Sequence, residues 1–306
     1  MKTRFIEVRK FLNEIVLGKE KQIDQSLCCI LSRGHLLIED LPGMGKTLLA
    51  HALAKAFGLG FSRIQFTSDM LPADITGVSI FETGSNSFRF HRGPIFSSVV
   101  LADEINRASP KAQSALLEAM EERQVTVDGE TYALPEPFFV IATQNPLEQS
   151  GTFPLPESQL DRFFMRISLG YPDRKSERQL LEKEDRRELL AKLQAIISRS
   201  ELIGWQEEVN TIKTTPALLD YVQDLVGQSR NSPEFSNGAS PRAALDLLNG
   251  SRAWAMIAGR DYVIPEDVQD VLPAIIGHRL TLAMDHEGET NIGVNPAHRL
   301  LEITPV

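Results

Sequence analysis

Apolar positions along the chain keep a helical spacing first, then shorten into strand-length runs, and return to helical spacing in the second half. Residues 1–15, MKTRFIEVRKFLNEI, read as an amphipathic helix with Glu7 and Glu14 interleaved, and a second helix is expected at about 19–33. The apolar run HLLIE leads into a loop, followed by TLLAHALAKAFG, which has helical period and a closing glycine. FSRIQF, VVLAD and FFVIAT are short runs read as apolar on both faces, as expected for a parallel sheet covered by helices. Two hairpins interrupt them. Between Gly77 and Gly93, VSIF and FRFH flank the turn-rich ETGSNS, and between Gln124 and Pro135, VTV and TYAL flank the tight-turn pair Asp128-Gly129.

After Gly170-Tyr171-Pro172 the pattern is almost wholly helical: RKSERQLLEKEDRRELLAKLQAII, PALLDYVQDLVGQSR, SPRAALDLLNGSRAWAMIAGRD and PEDVQDVLPAIIGHRL, with only a short C-terminal piece in the last 20 residues. The layout is an α/β domain over residues 1–171 and a helical domain over 172–306. The length of 306 residues suits a large domain plus a smaller one, and 42% apolar with 24% charged residues is the balance of a globular chain with ample core.

No apolar stretch approaches the roughly 18 residues of a membrane span, and the N-terminal helix lacks the apolar core of a signal peptide. A cytoplasmic protein with no direct membrane insertion is expected. Adjacent Cys28 and Cys29 lie in an apolar helical run and read as buried free thiols. Trp205 and Trp254 lie in helical patterns and read as core, and neither zinc spacing nor a nucleophile elbow is found. The net charge of −9 disfavours sequence-independent nucleic-acid binding.

The candidate chemistry begins at EDLPGMGKT, residues 39–47, which closes the phosphate-binding pattern G-x-x-x-x-G-K-[ST] but has Asp40 at its first glycine. Such a loop presents successive backbone N–H groups to a phosphate at the start of a helix. Pro42, Gly43, Met44, Gly45, Lys46, Thr47 and Leu48 are the candidate ATP-binding residues, with Lys46 reaching the β- and γ-phosphates and Thr47 on Mg²⁺. Asp40 stands where the chain leaves the strand. It is expected to serve as a turn residue that bonds its own backbone without touching phosphate. In VVLADEINRA, Asp103 would support the metal and Glu104 would polarise an attacking water. In FFVIATQNP, Asn145 could hold that water, although an Asn before Pro146 also suits a plain turn.

These three elements, in this order and followed by helices, resemble the AAA+ ATPases and more closely the MoxR family. The resemblance spans about residues 5–300 and rests on LPGMGKT, FTSDMLPADITG, GPIFSSVVLADEINRASPKAQSALLEAMEERQVTVDG, PFFVIATQNPLEQSGTFPLPESQLDRF and GASPRAALDLL. It implies a P-loop αβα sandwich with a parallel sheet and a C-terminal all-α lid, and a Mg-ATP-hydrolysing, ring-forming remodelling or maturation factor. It also implies that Arg162 is an arginine finger aimed at a neighbouring subunit's nucleotide, and that Arg242 is the second-sensor arginine of the lid. Read from the residues alone, Arg162 also fits a surface pair with Asp161 or Glu157, and Arg242 an exposed helix arginine behind the N-cap Ser240. Val16-Leu17-Gly18 matches the region that covers adenine.

By the same resemblance the hairpins at about 77–93 and 124–135 are the helix-2 insertion and the pre-sensor hairpin. The partners implied are further copies of the chain in a homo-hexameric ring, a von Willebrand factor A domain protein, and protein clients. A DNA helicase is disfavoured because the hairpin tips carry Asp128 and Glu130 and no Lys or Arg, with Arg89 and His91 farther along the strand. An ATP-dependent assembly switch with low turnover and a chelatase-type motor subunit stand as alternatives.

Overall fold

The computed structural model describes residues 2–84, 86–146, 151–182, 186, 189–190, 194–283 and 295–305. Leu147 to Ser150 in the quoted family string, parts of the helical run from 183 to 193, and residues 284–294 and 306 therefore lie outside the described residues. Five strands form the main sheet: β1 (Leu36–Glu39), β2 (Phe61–Gln65), β5 (Val99–Asp103), β8 (Phe139–Gln144) and β9 (Met165–Ile167). They are all parallel, in the order β2-β5-β8-β1-β9. Parallel pairing needs a crossover between neighbours, so the carboxyl ends of all five strands fall on one edge. In register, Gln65 lies opposite Asp103 and Glu39 opposite Gln144, which brings the ends of β1, β2, β5 and β8 level.

The strand β5 is buried throughout, and β1, β8 and β9 are buried except at half-buried Glu39, Gln144 and Arg166, but β2 is not. It lies at the sheet's edge, and of its five residues only Ile64 is buried. This corrects the expectation of a strand apolar on both faces, because an edge strand has a neighbour on one side only. The strand β9 was not anticipated from the sequence.

On one face of the sheet lie α1 (Lys2–Ile15), α2 (Glu20–Leu31) and α3 (Lys46–Ala56), with Ile23, Leu27, Ile38 and Leu53 in one apolar core. On the other, α4 (Pro72–Thr76) and α5 (Pro110–Glu122) build a second core around Phe66, Leu116, Val140 and Phe163. Two separate antiparallel hairpins are formed by β3 (Gly77–Glu82) with β4 (Ser87–Arg92) and by β6 (Gln124–Val127) with β7 (Glu130–Ala133). The second turns on Asp128 and Gly129, both at positive φ (53° and 84°), as the Asp-Gly pair predicts. The hairpins meet where Phe90 stacks on Tyr132, with ring centroids 4.3 Å apart.

Beyond a short helix α6 (Glu157–Leu160) and β9, the chain crosses residues 168–173 into helices: α7 (Arg174–Glu182), α8 (Arg199–Val209), α9 (Pro216–Asn231), α10 (Pro241–Ile257), α11 (Pro265–Ile275) and α12 (Pro296–Ile303). Three of these start on a hydroxyl cap followed directly or closely by a good first-turn residue: Ser198, Thr215 and Ser240 each accept a backbone N–H from the first turn. Helices α8 and α10 pack on α2. Buried polar bonds sew that seam: Gln206 Nε2 donates to the Ile30 carbonyl at 2.7 Å and Cys28 Sγ to the Gly250 carbonyl at 3.3 Å. Both cysteines are free and buried, as expected, and burial raises both thiols well above the ordinary value.

Candidate nucleotide-binding site

The loop after β1 climbs through exposed Pro42 and Gly43 and descends into α3 at Lys46. Gly43 and Gly45 have φ of 83° and 91°, a left-handed conformation costing a side-chain-bearing residue about 1–2 kcal/mol. A Cβ at either position would meet nothing within 4 Å, so the backbone turn and not crowding requires glycine. The open space is where a phosphate would lie against the amino end of α3. Lys46 is buried, and its Nζ donates to the Asp40 carbonyl at 2.7 Å. Burial lowers its ammonium below the ordinary lysine value, while the fields of Asp103, Asp40 and Glu104 oppose that fall. A polyanion in the loop would further favour the charged form. Met44 and Leu48 anchor the loop by packing against the apolar core.

Asp103 and Glu104 sit at the end of β5, beside this loop. Thr143, fully buried on β8, ties them together: its hydroxyl donates to Asp103 Oδ1 at 2.6 Å and accepts the Glu104 backbone N–H at 2.8 Å. Glu104 itself adopts a left-handed backbone (φ 58°), a strain of the kind that persists where surrounding structure enforces it. Its carboxylate accepts Gln65 Nε2 at 2.8 Å and pairs with Arg107 Nε at 3.2 Å. Arg63 Nη2 meets Asp103 Oδ2 at 2.7 Å.

A cleft of about 820 Å³ joins these groups, lined by Pro42, Gly43, Gly45 through Leu48, Arg63, Gln65, Asp103, Glu104 and Arg107, with Leu180 and Arg186 from the helical side. Among the described residues no cluster of three or more acidic, His or Cys side chains could hold a metal. The Thr47 hydroxyl and the Asp103 carboxylate therefore fit a Mg²⁺ that keeps its waters and takes nucleotide oxygens, not a metal held by protein alone.

The remaining candidates are placed elsewhere. Asn145 is buried at the end of β8, one residue past the Glu39–Gln144 pair and so beside Asp40. Arg162 and Arg242 do not line the cleft. Both reach Glu121 in the last turn of α5: Arg162 Nε lies 3.1 Å from Oε2 and Arg242 Nη1 3.3 Å from Oε1. Arg162 is not paired with Asp161 or Glu157. Asp161 instead holds Arg279 at 3.2 Å, and Glu157 accepts from Asn237 at 3.4 Å. Ser240 caps α10 as expected, accepting the Ala243 N–H at 3.1 Å, so Arg242 leaves from a fixed first turn.

Sequence reasoning missed Arg63, Gln65, Arg107, Glu121 and Thr143. The period-two spacing of Arg63 and Gln65 in FSRIQ was the available signal for an edge strand turning polar side chains toward the site. Asp40 also needs correction. Its Oδ1 accepts the Leu41 N–H at 2.9 Å, the local bond expected of a turn residue, but its Oδ2 accepts the N–H groups of Leu169 and Gly170 at 2.6 and 2.7 Å. Asp40 is thus a long-range anchor.

A phosphate-binding loop and paired acids at the carboxyl edge of a parallel sheet, with a helical lid behind, define an AAA+ ATPase. The family model for the ATPase family associated with various cellular activities (AAA) matches residues 35–165, and the AAA lid domain model matches residues 227–297. The uncharacterized protein YeaC of Bacillus subtilis is 45% identical over 271 residues, covering 89% of this chain and 85% of that one. Chaperone MoxR1 of Mycobacterium tuberculosis is 42% identical over 283 residues, covering 90% of this chain and 74% of its own. The crystal structure of a protein from Cytophaga hutchinsonii assigned as an ATPase matches with a TM-score of 0.87 at 38% identity, covering 99% of this chain and 93% of that one. The chain belongs to the MoxR family of AAA+ ATPases.

Proposed function

We propose that the protein hydrolyses Mg-ATP within a ring of like subunits and uses the cycle to remodel or mature client proteins. The observation that carries this reading is the placement of Glu104 in the P-loop cleft, beside Asp103, with its carboxylate oriented by Gln65 and Arg107. The backbone from Gly43 to Leu48 and the Lys46 ammonium bind the phosphates. Thr47 and Asp103 would hold the oxygen shell of a bound Mg²⁺, which would supply neutralisation of phosphate charge. Glu104 accepts a proton from the attacking water, and Asn145 steadies that water against the γ-phosphate.

Arg162 and Arg242 complete the site of a neighbouring subunit. Their shared position on Glu121, outside their own chain's cleft, supports a joint action across an interface. Two features favour protein clients over DNA. The β3–β4 hairpin shows the solvent Phe81 and Phe88, a T-shaped pair 5.3 Å apart, with Phe88 74% exposed. The β6–β7 turn carries Asp128 and Glu130.

Steady-state phosphate release from the wild type against Glu104→Gln tests the reading. Turnover is expected to fall at least a hundredfold in the variant with nucleotide affinity retained. A wild-type rate no higher than the variant's would favour an assembly switch with low turnover.

A further inference from the structure

The six residues 168–173 that carry the chain from β9 to α7 are held from two sides by buried charges of opposite sign. From the P-loop side, Asp40 Oδ2 accepts the Leu169 and Gly170 N–H groups and, at 3.2 Å, the Ser168 hydroxyl. From the start of α2, Lys19 Nζ donates to the Gly170 carbonyl at 3.0 Å and the Tyr171 carbonyl at 2.7 Å. Asp40 is 7% exposed and Lys19 6%. A charged side chain is buried to that degree only where its hydrogen bonds are supplied, and these two are supplied by the same crossing segment. Gln22 adds a third hold, donating to the Ser168 carbonyl at 3.3 Å.

Asp40 has a second connection, through its main chain. Its carbonyl is the acceptor for Lys46 Nζ, the ammonium that would grip the phosphates, and its N–H donates to the Gln144 carbonyl at 3.1 Å on the strand leading to Asn145. A single residue therefore joins the phosphate-gripping lysine, the end of β8 and the crossing into the helical lid. Glycine at this position would form the loop equally well but would sever the third connection.

We propose that Asp40 is a positioning residue that couples occupation of the phosphate site to the crossing segment 168–171, and so to the lid. The proposal rests on reading Lys46 as the phosphate ligand. When phosphate draws Lys46 Nζ from the Asp40 carbonyl, the peptide at 40 loses this charged partner and shifts. The carboxylate carries that shift to the amides of Leu169 and Gly170. Lys19 is the opposing fixed point against which the segment moves.

The test measures nucleotide affinity with a fluorescent ATP analogue, steady-state turnover, and amide hydrogen exchange of the peptide spanning 168–173 with and without a slowly hydrolysed Mg-ATP analogue. In the wild type the analogue should change exchange at Leu169 and Gly170 at least threefold. In Asp40→Gly and Asp40→Asn, affinity should stay within threefold of the wild type and turnover should fall about tenfold. The two amides should exchange fast from the outset and no longer respond to nucleotide. Lys19→Met should reduce turnover with Asp40 intact. Survival of the nucleotide response in Asp40→Gly, or a tenfold loss of affinity with the response intact, would overturn the coupling. So would wild-type amides indifferent to nucleotide, a measurement that needs no variant to fold. Lys46→Ala separates the two readings: nucleotide binding that survives it refutes the phosphate site itself.

Discussion

At Glu121 one carboxylate serves two arginines, one on each oxygen, on a surface where all three side chains are partly exposed. Exposed pairs of this kind contribute up to about 1 kcal/mol. That is enough to bias the resting positions of Arg162 and Arg242 and too little to lock them. If they must leave for a neighbour's phosphate, Glu121 competes with assembly. Glu121→Gln should therefore lower the protein concentration at half-maximal ATPase by roughly fivefold, the equivalent of that ~1 kcal/mol, with nucleotide affinity unchanged. A higher half-maximal concentration would mean that Glu121 presents the arginines instead of restraining them. No sequence feature marked Glu121 out, because an acid in the last turn of a surface helix is commonplace. Thr143 was equally silent within an apolar strand. Its meaning depends on register: it follows the Ala102–Ala142 pair, which sets it beside Asp103.

Elements whose patterns face one environment were legible. The β5 and β8 runs lie between helix layers, and the sequence read them as apolar strands; the hairpin turn at Asp128-Gly129 and the cap at Ser240 are chemistry local to a few residues. Legibility failed where an element answers to two environments. FSRIQ looks like a buried strand, yet it is an edge strand whose Arg63 and Gln65 bind the acids of its neighbour. Asp40 looked like a substitute for a missing glycine, and its partners lie 129 and 130 residues away. Helix α8 was read only as a helical pattern around Trp205, without a start, although Ser198 and Glu201 make a reciprocal capping box, with the carboxylate accepting the Ser198 N–H at 2.8 Å. That S-x-x-E signal was available and would have placed its first turn.

Across the molecule, two buried histidines make stability depend on pH. His35 accepts the Val140 N–H on Nδ1 at 3.0 Å and faces the Met120 carbonyl with Nε2 at 3.2 Å, so it is held neutral with the proton on Nε2. His278 Nε2 faces the Phe163 carbonyl at 3.0 Å beside Arg279. Burial pushes both down to about 3. The unfolded chain therefore binds more protons between that value and about 6.5, and the stabilisation is complete above about 6.5 and lost as pH falls. At pH 5 each should cost about 2 kcal/mol, a sizeable part of a typical total of ~5–15 kcal/mol. Urea unfolding at pH 7 and pH 5 should show this drop, and His278→Gln should remove roughly half of it; an unchanged slope would refute the assignment.

The same scale gives the buried cysteines a use. Cys28 lies in the seam between α2 and α10, its Sγ on a lid carbonyl, and as a buried protonated thiol it is inert to alkylation while the seam stays shut. Any movement that parts lid from core uncovers it. The rate at which a thiol reagent consumes Cys28 is then a native clock for that opening, with no label introduced. Nucleotide should slow or quicken the clock according to whether it closes or opens the seam, and a rate equal to that of global unfolding would mean that the lid and core never separate there.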